Sequence, residues 1–322
     1  RGRYPAAFNG GSFIWNRDTR NWGYIYHWNG QIPYWGVQSA NHTELFEPYA
    51  VYRRGMLNNA CRGAQKLGYE GAFYTDISDR NGYQAFEPDI CSNLTCGPQI
   101  AMHLFRQWEY TRDDVYLTET ALPVMYEAAR FYLSYLEFDE TDGLWHIECA
   151  TIYENYLAFR DSVTDRVYIE SLFRAILAAE DYLGKASDLS ERLRDVLEHL
   201  YPYTFIEHDG KTVFTCGILG SGEPMEFRKC GYPEGIGMIG ELSALFPGAE
   251  YCRARHDYPD ILKNTYEASL RNRPFNCGHT PYGVSAAHLG LPVTDLLMGV
   301  IEAVQIFPSG LSHFMDFRAD ME

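Results

Sequence analysis

Stretches in which apolar residues recur at helical spacing make up most of this chain, and no other feature constrains its fold as strongly. In the first stretch, apolar side chains lie three to four residues apart from Leu45 to Ala64, and Gly68 is placed to end a helix. Residues 212–216 form the only persuasive strand pattern. Further helical stretches occupy residues 100–108, 114–138, 164–184, 187–200, 233–246, 256–271 and 292–304.

Short turns and long aromatic loops alternate between these helices. This organisation is typical of a toroid built from helical hairpins. The pattern gives eight or nine helices, whereas a closed barrel of six hairpins needs about twelve. We therefore predict an all-α fold of the (α/α)6-barrel type with some helices missing, in a single domain that covers residues 1–322.

Composition narrows the class of ligand. The formal charge is −16, and the basic residues are not clustered, which argues against a nucleic-acid partner. The chain has no run of eighteen apolar residues, which argues against a membrane span. Aromatic residues make up 15% of the chain, and many stand in loops beside Gly, Asn, Asp and His. Flat rings next to hydrogen-bonding groups suit a sugar, so we expect an oligosaccharide or glycan ligand.

The first candidate site lies in the aromatic stretch 22–35. His27, Asn29 and Gln31 are spaced by two, so an extended segment would present all three on one face as a row that reads hydroxyl groups. The alternative is that these side chains satisfy buried backbone groups. The aromatic side chains expected to stack on a sugar near this row are Trp22, Tyr26, Trp28 and Trp35.

Carboxylates supply the other candidates. Glu154 stands next to Tyr153, and partial burial there would raise its pKa as a general acid requires, although a solvated loop position is an equal alternative. Asp76 and Asp79 lie in a loop bounded by glycines, where the turn-forming role of Asp is the better interpretation. Glu241 lies on a predicted helix that faces either a cleft or solvent. No cysteine or histidine spacing indicates a metal site, and we predict no cofactor.

Taken in order, several segments resemble the catalytic domain of glycoside hydrolase family 95, a family of inverting α-L-fucosidases and α-L-galactosidases with an (α/α)6 barrel. The similarity is in motif order and spacing across most of the chain. Residues 27–35 are similar to the family's Asn-x-Asn-x-Gln-x-Asn-Tyr-Trp motif. The other segments that carry the resemblance are residues 4–16, 41–48, 71–82, 151–155 and 245–248.

The resemblance implies roles for individual residues. Glu154 would be the general acid, and Asn29 would be one of two asparagines that polarise the attacking water. His27 stands where the family has the other asparagine, Asp79 falls at a family aspartate, and the segment around His279 lacks the aspartate expected there. We expect the base among His27, Asn29, Asp79 and His279. The predicted substrate-binding residues are Trp22, Tyr26, Trp28, Gln31, Trp35, Tyr74, Asp76, Tyr153, Asn155, Glu241 and His279.

The resulting hypothesis is an exo-glycosidase that cleaves a terminal sugar with inversion, in the periplasm or outside the cell. The resemblance also implies that the chain starts after the first barrel helix and lacks flanking β-domains. Two alternatives remain open. One is a polysaccharide lyase on the same toroid, which would abstract a proton with Tyr and His. The other is a carbohydrate-binding protein without activity.

Overall fold

The computed structural model describes residues 25–85, 93–150, 159–227, 240–246, 248, 257–271, 279–294 and 297–298. The chain divides into two compact units, one formed by residues 1–147 and 168–201 and the other by residues 148–167 and 202–322. The prediction of one domain over residues 1–322 stays a prediction. Within the described ranges, no helix has both the length and the apolar character needed to cross a bilayer.

Helices dominate the described part of the first unit. They are α1 (His27–Gln31), α2 (Glu47–Gly55), α3 (Leu57–Leu67), α4 (Cys96–Thr111), α5 (Asp114–Tyr116), α6 (Leu122–Tyr135), α7 (Val163–Leu183) and α8 (Ser190–His199). The predicted helices at 100–108, 164–184 and 187–200 correspond to α4, α7 and α8. Residues Val163 to Val167 of α7 belong to the second unit.

The first predicted helix is divided in two. A 3-10 turn at Thr43–Phe46 precedes α2, and α2 and α3 are separated at Met56. Gly68 ends α3 as predicted, because its left-handed conformation (φ 88°) lets its N–H bond the carbonyl groups of Ala64 and Gln65. Apolar periodicity continues across the break, so it could not reveal where one helix ends and the next begins.

The predicted helix at 114–138 contains a π-helical segment, Leu117–Ala121, directly before α6. Pro123 has no N–H to donate to the carbonyl group of Glu119. The Glu119 oxygen instead accepts a hydrogen bond from Nε of Arg54 at 3.1 Å. The irregular turn therefore links α2 to the start of α6.

Short strands accompany the helices. In the first unit, β1 (Ile25–Tyr26) pairs with β2 (Ile77–Ser78), and β3 (Glu137–Asp139) pairs with β4 (Leu144–His146); both pairs are antiparallel. The second pair begins where the helix was predicted to continue to residue 138. Strands of two or three residues are too short to show a period, which explains why only one strand was expected.

The described part of the second unit contains two further antiparallel pairs. The pair of β5 (Phe159–Arg160) with β8 (Ile218–Leu219) was not expected, whereas β7 (Lys211–Phe214), which pairs with β6 (Phe205–His208), matches the predicted strand. The helices are α9 (Pro259–Arg271), as predicted, and α10 (His279–His288), which was missed because Gly and Pro obscure its pattern. Phe214, Leu262, Tyr266 and Tyr282 belong to the core of this unit. The helices predicted at 233–246 and 292–304 lie largely outside the described residues.

Candidate functional site

The segment that carries the predicted polar row is helical, so the extended conformation expected from its spacing is wrong. Strand β1 leads directly into α1, and the N–H of His27 donates to the carbonyl oxygen of Asp76 at 2.6 Å. In a helix, His27 and Gln31 are four residues apart and share a face, whereas Asn29 does not. The side chain of Asn29 lies outside the described part of the structure.

A chain of hydrogen bonds runs from α1 into α4. The amide oxygen of Gln99 accepts from Nε2 of His27 at 3.1 Å and from Nε2 of Gln31 at 2.8 Å. Nε2 of Gln99 donates to the hydroxyl group of Thr95 at 2.8 Å, and this hydroxyl donates to Oδ1 of Asn93 at 2.7 Å. All five residues are buried. Each of these four donor atoms meets an acceptor, so the positions of the His27 and Gln31 side chains are fixed.

The hydrogen-bond chain also determines the tautomer of His27. An amide oxygen only accepts, so Nε2 of His27 carries the proton and Nδ1 has a lone pair. Nδ1 is buried and has no hydrogen-bond partner among the described residues. Burial, followed by the positive charge of Arg53, lowers the pKa of His27 to about 3. The imidazole is therefore neutral at physiological pH and available as a hydrogen-bond acceptor.

A polar stripe on α4 holds the chain that follows α1, and sequence reasoning missed it. Three contacts beyond Gln99 are present: Nε2 of His103 donates to the carbonyl oxygen of Tyr34 at 3.2 Å, Nε2 of Gln107 donates to the carbonyl oxygen of Thr43 at 3.1 Å, and Oε1 of Gln107 accepts from Gln38 at 3.2 Å. Polar residues at every fourth position from Thr95 to Gln107 were the signal that could have revealed it. The stripe consists of Thr95, Gln99, His103 and Gln107.

The predicted stacking residues differ in exposure. The rings of Trp28 and Trp35 meet edge to face with their centroids 4.8 Å apart, and both side chains are partly exposed, as is Tyr26. Tyr74 is fully buried, and its hydroxyl group donates to the carbonyl oxygen of Arg53 at 3.4 Å. Burial raises the pKa of Tyr74. Tyr74 thus packs inside the unit and presents no ring face for a sugar.

The two aspartates of the 74–82 loop have local contacts. Oδ1 of Asp79 accepts the N–H groups of Asn81 and Tyr83 at 2.8 and 3.0 Å, which is the turn-forming arrangement favoured by the sequence. The loop is also anchored through Tyr52, whose hydroxyl group donates to Oγ of Ser78 at 2.9 Å. Asp76 contributes its backbone oxygen to His27.

The remaining predicted residues are less completely described. Trp22, Tyr153, Glu154 and Asn155 lie outside the described residues, and their roles stay predictions. In the second unit, Glu241 is buried in a 3-10 turn (Gly240–Leu242), and His279 begins α10. The side chain of His279 is not described. Within the described residues, no three His, Cys, Asp or Glu side chains are placed to hold a metal ion.

A separate surface depression of about 620 Å³ lies where the β3–β4 hairpin meets α8 in the first unit. None of the residues predicted for the site lines it. Its walls include Phe138 and Trp145, whose ring centroids are 5.0 Å apart, and the indole N–H of Trp145 donates to Asp195 at 3.0 Å. The buried polar chain from α1 to α4 is therefore a different feature from this depression.

The sequence matches the model of a glycoside hydrolase catalytic domain. The matched description is the glycosyl hydrolase family 95 catalytic domain, and the match covers residues 1–212, more than half of the chain. The chain therefore belongs to this family, and the resemblance inferred from the motifs is confirmed.

Three curated proteins are similar to parts of the chain. A 1,2-alpha-glucosylglycerol phosphorylase of Bacillus selenitireducens is 26% identical over 65% of this chain and 32% of its own length. Alpha-L-fucosidase 2 of Arabidopsis thaliana is 24% identical over 81% of this chain and 31% of its own length. A protein-glucosylgalactosylhydroxylysine glucosidase of Mus musculus is 24% identical over 57% of this chain and 26% of its own length. The chain thus spans a third or less of the length of these relatives, which are glycosidases or phosphorylases.

Proposed function

We propose that the chain acts on a terminal sugar as an inverting exo-glycosidase, with an α-L-fucoside or a related sugar as substrate. The observation that carries this proposal is the family match over residues 1–212, a range that includes α1 and Glu154. The similarity to an alpha-L-fucosidase of Arabidopsis thaliana supports the choice of sugar. We also propose that the helices form an (α/α)6 barrel, as the family resemblance implies.

In the proposed reaction, Glu154 donates a proton to the glycosidic oxygen as the bond to the leaving group breaks. A base on the opposite face of the sugar removes a proton from water, as inversion requires. Asn29 would hold this water, as the family resemblance implies. The base would be Asp79 or His279, and in Asp79 both turn N–H groups bind Oδ1, so Oδ2 is outside the turn.

We assign His27 a role in orientation. Its pKa of about 3 makes it a weak proton acceptor at neutral pH in the protein without substrate. A neutral ring with a lone pair on Nδ1 instead suits hydrogen bonding to a sugar hydroxyl group or to the attacking water. Gln99 would hold the ring in the required tautomer through the bond to Nε2.

The decisive experiment compares Glu154→Gln with wild type on aryl glycosides. We expect a loss of about 100-fold or more in kcat for poor leaving groups, because proton donation to the leaving group contributes about 10²–10⁴-fold. Glu140→Gln, at an exposed turn residue, is the matched control and should keep wild-type activity. An unchanged rate in the Glu154 variant would refute the assignment. Proton NMR of the first-formed anomer tests inversion.

Phosphorolysis is the second candidate, because one relative is a phosphorylase that is 26% identical over 65% of the chain. In phosphorolysis, phosphate takes the place of water and the product is a sugar 1-phosphate. Running the glycoside assay with and without phosphate separates the two reactions. An unsaturated product would indicate a lyase, and binding without turnover would indicate a carbohydrate-binding protein.

We also propose a location outside the cytoplasm, as expected from the sequence. Cys216 is disulfide-bonded, which supports an oxidising compartment. Flanking β-domains in a longer protein stay a prediction. Fractionation of the native host, followed by detection of the protein, tests the location: recovery with the cytoplasmic fraction would contradict it.

A further inference from the structure

Arg53 is a fully buried arginine in α2, with an exposed fraction of 0%. Its Nη1 donates to Sδ of Met56 at 3.5 Å, and the side chain of Tyr49 lies near the guanidinium group, but Nε and Nη2 meet no acceptor with hydrogen-bond geometry among the described residues. These two N–H groups lie on the same edge of the guanidinium plane. That edge can donate two parallel hydrogen bonds to a carboxylate or a phosphate group. The protein therefore buries a bidentate donor whose acceptor is not supplied by the described residues.

The charge of Arg53 needs a compensating group. Arginine cannot lose its proton at physiological pH, so burial does not neutralise it as it would a lysine or a histidine. The guanidinium carbon lies 5.3 Å from the ring centroid of Tyr49 and 5.5 Å from that of Tyr52, and these rings offset part of the charge. No described residue forms an ion pair with Arg53, whereas an unpaired buried charge is strongly unfavourable.

The titratable groups around Arg53 do not provide the missing anion. The groups whose pKa values Arg53 shifts come from α1, α2, the loop after α3, and α4, and none of them is a carboxylate. Burial keeps the two histidines neutral and the tyrosines protonated. These groups are His27, Tyr49, Tyr52, Tyr74 and His103. None of these five groups carries a negative charge, and the Asp79 carboxylate, which interacts with Tyr52, forms no ion pair with Arg53.

The position of Arg53 connects it to the candidate site. A β-carbon added to Gly30 would lie 3.8 Å from Nη2 of Arg53, so the guanidinium group sits directly against the backbone of α1. His27 and Gln31, which bind Gln99, belong to the same helical turn. An anion at Arg53 would therefore lie close to the polar side chains expected to contact the sugar.

We propose that the Nε and Nη2 edge of Arg53 binds an oxyanion of the ligand, either the carboxylate group of an acidic sugar or a phosphate group. This inference rests on the proposed function in one respect: the proposed function places the sugar ligand beside α1. The bound anion would accept both N–H groups and neutralise the buried charge. A neutral α-L-fucoside would leave this charge uncompensated, so the inference narrows the proposed substrate to a sugar that carries an acidic group or is bound together with phosphate.

Isothermal titration calorimetry on the purified chain tests the proposal. The titrations are done at low salt, because salt screens interactions between charges. The probes are inorganic phosphate, glucuronate and glucose; glucose matches glucuronate except for the carboxylate group. We expect phosphate or glucuronate to bind at least about tenfold more tightly than glucose. The probe that binds identifies the source of the anion. If neither anion binds the wild-type chain, the proposal is wrong.

Variants then test whether Arg53 is the receptor. Arg53→Met removes the charge, and Arg53→Lys keeps the charge but loses the two parallel N–H donors. Each variant should therefore weaken anion binding by at least about tenfold. Arg54→Met, at the next position of the same helix, should bind as wild type does. Anion binding that survives in Arg53→Met would overturn the proposal. Circular dichroism checks that each variant is folded, and if Arg53→Met does not fold, Arg53→Lys and the wild-type titration decide.

Failure of this proposal is distinguishable from failure of the proposed function. Glu154→Gln should bind the anion normally while it loses hydrolysis, because Glu154 donates a proton and Arg53 binds charge. A wild-type chain that binds the anion but cleaves no glycoside would retain the anion site and refute the glycosidase. A wild-type chain that cleaves neutral glycosides and binds no anion would support the glycosidase and refute the anion site.

Discussion

The amide oxygen of Gln99 accepts a hydrogen bond from Nε2 of His27 at 3.1 Å, across 72 residues of sequence. The same oxygen accepts from Gln31, so a single side chain on α4 holds two side chains of α1. This arrangement selects one tautomer of His27. The geometry of the candidate site therefore depends on a residue that is not itself expected to contact the sugar.

Replacing Gln99 with leucine should destabilise the protein by about 2 kcal/mol or more, because each buried donor left unsatisfied costs about 1–3 kcal/mol. Urea unfolding followed by circular dichroism gives the free energy of unfolding. Gln65→Leu, on the exposed surface of α3, is the control and should change it by less than about 0.5 kcal/mol. Equal effects in the two variants would mean that Gln99 does not hold α1.

Stability should increase with pH between about 3 and 6.5 because of His27. Its pKa is lowered to about 3 in the folded protein from 6.5, so in this range the unfolded chain binds a proton that the folded protein does not. The contribution is complete above pH 6.5 and is lost as the pH falls towards 3. Its slope is at most about 1.4 kcal/mol per pH unit for one histidine.

His27→Gln should flatten this dependence, since the glutamine side chain does not titrate. Urea unfolding at pH 4.5, 5.5, 6.5 and 7.5 measures the slope, and His42→Gln is the control because His42 is exposed. His103, whose pKa is also lowered to about 3 by burial, should leave a residual slope in the His27 variant. If the free energy of unfolding of His27→Gln changed with pH as steeply as that of wild type, the buried, neutral state of His27 would be contradicted.

Gly71→Ala should destabilise the first unit by about 1–3 kcal/mol, the usual effect of an overpacked position. Gly71 has a φ of 71°, and a β-carbon there would lie 2.3 Å from the carbonyl oxygen of Glu127 and 2.4 Å from the amide nitrogen of Phe131. The loop that leads to Asp76 thus approaches the backbone of α6 too closely for any side chain. Thermal unfolding of Gly36→Ala, where a β-carbon meets nothing within 4 Å, provides the comparison. Similar thermal unfolding midpoints for the two variants would show that the loop at Gly71 does not pack closely against the backbone of α6.

Cys149 should react with a thiol reagent faster than Cys61 or Cys96 in the native protein. Cys149 is exposed, Cys96 is fully buried, and burial together with the Glu127 carboxylate raises the pKa of Cys61. Peptide mapping after brief alkylation identifies the modified residues. Cys149→Ser should remove the early signal assigned to this residue. Early modification of Cys96 would contradict its burial.

Much of the helical architecture could be predicted from local signals. The apolar spacing placed α4, α7, α8 and α9, because a helix packed on one side repeats its buried face every three to four residues. Gly68 was predicted to end α3, and it does so in the left-handed conformation that glycine adopts most easily. Breaks within a continuous pattern, such as the one at Met56, have no comparable signal.

The candidate site was harder to predict because its contacts are distant in sequence. The motif resemblance indicated the family and placed His27 and Gln31 in the predicted site. It did not indicate that Gln99 is their common hydrogen-bond acceptor. The polar stripe of α4 was visible in the sequence as a spacing, yet its partners between α1 and Thr43 follow no period. Long-range pairs of this kind form only when the two segments pack together.

The sequence by itself determined that the chain is helix-rich and that its motifs are those of a glycoside hydrolase family. Local spacing suffices for the helices, and conformational preference suffices for the glycine that ends α3. Only the tertiary structure decided that residues 27–31 are helical, because His27 and Gln31 must reach one oxygen of Gln99. Packing likewise decided which of two adjacent arginines is buried: Arg53 points into the first unit, while Arg54 binds the carbonyl oxygen of Glu119.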